Sequence, residues 1–180
     1  MNPKQHISLI TLLFVCLSFA APLHGQKNRR EPLTEAEQDK IAEAGIDPNI
    51  RVGLYTKFLN EHCDVVQGLI KRAEDGRDQR MESELEDFSD LMDELGSNLD
   101  TYAERKADIR KSLSPLLEST HRWQQMLQSI PNRSAIQISR DEAIGAAKDL
   151  ADQTTQLIAD QKRYFAEHKD EAGQDRAEPK

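Results

Sequence analysis

Few residues in this 180-residue chain have the types and spacing that chemistry requires. Glu118-Ser-Thr-His121 has the Glu-x-x-His spacing that sets a carboxylate and an imidazole on one helix face, as in di-iron helical proteins. Such a site takes two of these elements and two further Glu, and no second element occurs: Leu59 and Phe165 stand three places before His62 and His168. Glu61-His62-Cys63-Asp64 gathers four potential ligands, but adjacent residues on a helix diverge by about 100° and cannot converge on one ion. His62 falls on the apolar side of its helix and reads as a hydrogen-bonded core histidine. Acids stand at Glu82, Glu84, Glu86, Asp87, Asp90, Asp93, Glu94 and Asp100, with no Lys or Arg between 81 and 103. That run suits a cation or a basic partner. It suits equally a solvated face paired with Arg51, Lys57, Lys71 or Arg72 of a neighbouring helix, the usual fate of such runs. There is no Cys-x-x-Cys-His, no Gly-rich phosphate loop and no Gly-x-Ser-x-Gly. The sequence therefore names no catalytic, cofactor-binding or metal residue, and the expectation is a non-enzymatic protein without a cofactor.

All these residues fall in stretches of helical periodicity. Thr34 to Glu37 forms a capping box that opens a short helix ending near Gly45. Asp47-Pro48 is a second start signal, with Asp as N-cap and Pro at the first helical position. From there to about Asp75, Val52, Tyr55, Leu59, His62, Val66, Leu69 and Ala73 line one face. Cys63 joins Leu59, Val66 and Ile70 at helical spacing, which predicts burial. After Gly76, with Asp78 as the expected cap, comes the clearest pattern. Met81, Leu85, Phe88, Met92, Leu95, Leu99, Tyr102, Lys106, Ile109, Leu113, Leu116, Thr120, Trp123, Leu127 and Ile130 alternate by four and three without a slip. One unbroken phase predicts a long central helix over 79–130 with coiled-coil-like packing, kinked rather than reversed at Pro115. Lys106, polar at a seam position, reads as a register device. Ser139 to Glu142 forms another capping box, opening a last helix to about His168 with Ala147, Leu150, Thr154, Leu157 and Tyr164 on its stripe. No strand-like alternation of any length occurs. The fold class is all-α: an antiparallel helical bundle, coiled-coil-like, of three to four long helices. Two helices alone would leave apolar stripe exposed. Either the chain compacts on itself or a second copy covers the stripe, as a homodimer.

The chain also carries an address. Lys4 precedes an uncharged apolar run from Ile7 to Ala21, the n-region and h-region of a signal peptide. The run is shorter than the about 20 apolar residues that a spanning helix needs. Cleavage after Ala20 or Gly25 fits the small residues there. The predicted organisation is a signal peptide at 1–25, a linker and short helix at 26–46, a helical bundle domain at 47–168 and a disordered tail at 169–180. Cleavage removes Cys16 and leaves Cys63 as the one thiol, so no internal disulfide is expected. The net charge of −8 gives no overall attraction for nucleic acid or for anionic membranes.

Leu33-Thr34-Glu-Ala-Glu37-Gln38 resembles the Leu-Thr-x-x-Gln signature of small exported helical stress chaperones and metal-resistance proteins, with the Gln one place late and no second copy. Tyr102 to Lys111 resembles a segment of exported all-helical proteins of acidobacteria, a similarity extending over Asp47 to Ile130. That resemblance implies export and helix and carries no activity. The expected function is a soluble protein, periplasmic or secreted, that binds protein (itself or an envelope protein) as a scaffold or adaptor. The alternatives are an envelope stress chaperone and a cation-binding bundle.

Overall fold

The computed structural model describes residues 31–72 and 74–173. The signal-peptide expectation and the end of the tail, 174–180, lie outside the described residues. The described chain is all-helical and holds no strand.

Helix α1 (Glu35–Glu43) starts at the Thr34–Glu37 box, where the Thr34 amide donates to the Glu37 carboxylate at 2.8 Å. Helix α2 (Pro48–Lys71) starts on Asp47, whose Oδ1 accepts from the amides of Asn49 and Ile50. It buries Val52, Tyr55, Phe58, Leu59, Cys63, Val66 and Leu69. Gly76, in the left-handed region at φ 72°, turns the chain into α3 (Arg77–Glu104). Asp78 does not cap this helix. It lies inside the first turn and pairs with Arg133 at 2.8 Å, tying α3 to the segment that leads into α5.

The long central helix expected over 79–130 is not formed. α3 stops at Glu104, and α4 (Arg110–Ser129) begins five residues after Arg105 opens the gap. The stop is a Schellman motif. The Ala107 amide donates to the Tyr102 carbonyl (2.9 Å) and the Lys106 amide to the Ala103 carbonyl (3.1 Å), with Lys106 at φ 56°. Lys106 is thus not a seam residue but the left-handed residue that ends the helix, a place that favours glycine. Tyr102 and Ile109 are seven apart on either side of the corner, so the loop happens to preserve the heptad count. Pro115 produces no reversal. It sits in the second turn of α4, where the carbonyl left without a donor belongs to exposed Lys111. Lys106→Gly is therefore expected to be neutral or to stabilise by up to about 1 kcal/mol, relief of left-handed strain offsetting the lost cation–π contact with Tyr164. Lys106→Leu is expected to destabilise, whereas a leucine at a true seam position would stabilise. Thermal melts of the two variants distinguish these.

After α4 a 3-10 turn at Ser134–Ile136 leads directly into α5 (Gln137–Glu167). The capping box expected at Ser139 is not the start: Ser139 is buried inside the first turn and its hydroxyl donates to the Ile136 carbonyl. Lys169–Glu171, expected in the tail, form a second 3-10 turn.

Hydrogen bonds set the helix directions. Arg51 meets Tyr102, Tyr55 meets Glu94 and His62 meets Glu84, so α2 and α3 run antiparallel. Asn49 meets Ser112 and Asn60 meets Trp123, so α2 and α4 run parallel. Gln124 bonds Ala147 while Gln161 bonds Ala107, so α4 and α5 are antiparallel. α2 packs on α3 and α4, and α5 packs on the same two; α3 and α4, consecutive in sequence, do not pair. α1 packs on α2. The heptad residues of α3 and α4 are buried, as are Leu91 and Met126 outside the heptad. Trp123 is fully buried and meets the Phe88 ring edge to face at 5.7 Å and 82°. The buried hydroxyls of Ser89, Thr120 and Thr154 bond carbonyls of their own helices, so they add no unpaired group to the core.

Candidate functional site

The residues singled out by type and spacing do not converge. Glu118 and His121 are both exposed on α4. Within Glu61 to Asp64, the four side chains part as helical geometry requires. Glu61 is exposed and near Lys57 (3.8 Å), and Asp64 is exposed. His62 crosses to α3 and Cys63 enters the core. Cys63 Sγ accepts from Gln67 Nε2 at 3.7 Å. Burial pushes the Cys63 thiol up, which keeps it protonated and poorly nucleophilic.

His62 and Glu84 form a polar tie between α2 and α3, with Nδ1 and Oε2 3.0 Å apart. Burial works against the imidazolium, but the Glu84 hydrogen bond and the charges of Glu84, Asp87 and Glu37 outweigh it and raise the pKa. A raised histidine pKa gives stability that is fully present below the unfolded value of about 6.5 and lost as pH rises through the folded value. Stability of the parent relative to His62→Gln should accordingly grow as pH is lowered from about 8 to about 6. Denaturant melts across that range check it; a pH-independent difference would contradict the pairing.

The acids of α3 meet neighbours other than the expected basic residues at several points. Glu94 accepts from the buried Tyr55 hydroxyl, and burial together with Glu94 pushes that phenol well above its usual range. Asp100 accepts from Gln153 at 2.7 Å. Arg51 bonds Tyr102 and the Ile41 carbonyl, and Lys57 faces its own helix. A groove of about 390 Å³ runs between α3 and α5, lined by Met92, Asp93, Gly96, Asp100, Ala146 and Asp149 among others. Gly96 lets Gln153 approach its backbone and bond its carbonyl at 3.0 Å. Among the described residues no group of three or more His, Cys, Asp or Glu is placed to hold one metal ion.

The densest polar constellation lies elsewhere, at the α3–α4 corner. Asp108, only 8% exposed, receives both Arg110 Nε (2.8 Å) and a terminal guanidinium nitrogen (2.6 Å). The Arg110 hydrogen bond holds the Asp108 carboxyl below its usual range, against burial. Asn49 of α2 donates to the Asp108 carbonyl (2.7 Å) and accepts from Ser112 (3.1 Å). Gln161 of α5 accepts from the Ile109 amide (3.1 Å) and donates to the Ala107 carbonyl (2.8 Å). One buried amide side chain thus satisfies both backbone groups of a loop that has no helix to do so. A pocket of about 100 Å³ adjoins it, between Lys106, Leu157, Gln161 and Tyr164. The ion pair and the amides hold the loop between α3 and α4 in place. The sequence carried one sign of it: Gln161 is a polar residue in step with Thr154 and Leu157 on the apolar stripe.

Compared with known proteins, the chain matches no family model, no curated protein and no solved structure. No described helix is long and apolar enough to cross a membrane.

Proposed function

We propose that the chain is an exported, non-enzymatic four-helix bundle that acts by binding another protein through its charged helix faces. The observation that carries this reading is how the side chains are spent. Those able to do chemistry are engaged between helices (His62, Tyr55, Asp108, Gln161), enclosed in the core (Cys63) or standing apart in solvent (Glu118, His121). The apolar stripe is equally spent, inside one chain. Large exposed apolar side chains among the described residues are confined to Ile46, Ile50, Val65 and Ile138. A chaperone surface would ask for more apolar area than these supply. What the surface offers a partner is charge: the chain carries a net −8, for which a basic protein is the complementary partner.

The test places a photo-crosslinking residue at exposed Glu82 of α3 and, separately, at exposed Lys162 of α5, in the source cells. The expected result is one discrete adduct from position 82, weakened by salt, and none from position 162. Absence of any adduct from α3, with purified protein that ignores basic proteins in titration, would contradict the reading.

A further inference from the structure

We propose that residues 168–173 form a clasp that holds the α3–α4 corner closed and whose release is the first step in opening that end of the domain. α5 ends at Glu167, yet the chain does not leave the surface. The His168 ring stacks on Tyr164, with centroids 4.2 Å apart and planes 13° from parallel. The 3-10 turn at Lys169–Glu171 brings Glu171 under the Tyr164 hydroxyl, which donates to its carboxylate. Gly173, at φ 78°, then turns its amide onto Asp108 Oδ2 at 2.8 Å, across 65 residues of sequence.

The partner it meets is already committed. Asp108 holds Arg110, and the Arg110 guanidinium lies 4.5 Å over the Phe165 ring. α5 and the segment after it therefore grip the corner twice: from inside through Gln161, on the backbone of Ala107 and Ile109, and from outside through Gly173, on the Asp108 side chain. The two grips differ in burial. Gln161 is 6% exposed, whereas Lys169, Asp170, Ala172 and Gly173 are exposed. Local opening follows the path that gives up least buried area, so the clasp opens before the clamp.

Amide hydrogen exchange on the full chain tests this. Gly173→Ala strains the left-handed turn, and Asp108→Ala removes the acceptor; both are expected to speed exchange at Ala107, Ile109 and Arg110, on the order of ten-fold for Asp108→Ala. Amides of Met81 to Leu85, at the opposite end of α3, should keep their rates in Gly173→Ala. A chain ended after Glu167 should reproduce the Gly173→Ala pattern, and one ended after Gly173 should exchange like the parent. Unchanged corner amides in both Gly173→Ala and the Glu167-ended chain would overturn the proposal. Equal acceleration at both ends of α3 in those two proteins would also overturn it, as it marks general destabilisation.

Discussion

Gln161→Ala is expected to cost about 3 kcal/mol, a fall of roughly 10 °C in melting temperature for a domain of this size. The reason is local. The Ile109 amide and the Ala107 carbonyl are enclosed, Ala107 and Ile109 being fully buried, and Gln161 is the partner of both. Removing the side chain takes away the partner of a donor and an acceptor at once, and each such unpaired buried group costs about 1–3 kcal/mol. Gln161→Glu keeps an acceptor for Ile109 but sets a carboxylate against the Ala107 carbonyl, so it should be no better than alanine at neutral pH and recover in part in acid. Gln161→Leu fills the volume without satisfying either group and should resemble alanine. A variant series with equal melting temperatures would mean that the corner is not clamped as described.

Trp123→Ala is expected to cost about 3–5 kcal/mol, a large share of the 5–15 kcal/mol that holds a typical domain together. Trp123 is the single tryptophan and is fully buried. Its indole packs on Phe88 of α3, and its Nε1 donates to Asn60 of α2 at 2.9 Å, so one side chain joins α4 to two other helices. Trp123→Phe keeps most of the apolar volume and should lose about 1–2 kcal/mol, from the vacated space and the unpaired Asn60. Chemical denaturation of the three proteins measures this. The parent's tryptophan emission should be blue-shifted when folded and move red in one step on unfolding.

Much of the helical pattern was legible because burial and periodicity report the same thing. Seam residues from Met81 to Tyr102 and from Leu113 to Ile130 are buried, with the face widened by Leu91 and Met126. The error at the centre has a definite cause. Heptad phase counts residues, and the corner spans a whole heptad, so a reversal and a continuous helix are indistinguishable to it. The informative departure was Lys106. By sequence a lysine among apolar seam residues reads as a register device, but its backbone conformation is what ends α3. Asp108, two residues on, then bonds the Arg110 amide at 3.3 Å in the manner of a helix-start residue. The starts of α3 and α5 were misplaced for a related reason. Asp78 and Ser139 are good cap types, but Asp78 is drawn to Arg133 and Ser139 is buried one turn in. His62 shows the limit of face assignment. It lies at the edge of the stripe, where the acid of a neighbouring helix decides its role, and periodicity contains no information about which acid that is.

The corner constellation was hidden for a deeper reason. Asn49, Asp108, Gln161 and Gly173 come from four separate stretches of chain, and their pairing follows from the reversal at Arg105–Ile109. Once the reversal is placed, Asn49, Gln161 and Gly173 all fall beside Asp108 and the corner. The same reversal lets α2 and α5 each pack on both α3 and α4.

A distance between Glu82, at the start of α3, and Gln128, at the end of α4, tests that reversal most directly. Both residues are exposed and accept spin labels as cysteines in a background in which Cys16 and Cys63 are replaced by alanine. With helices packed about 8–10 Å apart, diagonal corners of the bundle put the labels on the order of 15–30 Å from each other. A continuous helix through Lys106 would separate them by roughly 70 Å. A narrow distribution at the short distance, unchanged on dilution with unlabelled protein, is the predicted result. A population near the long distance, or a short distance that disappears on such dilution, would contradict a bundle closed within one chain.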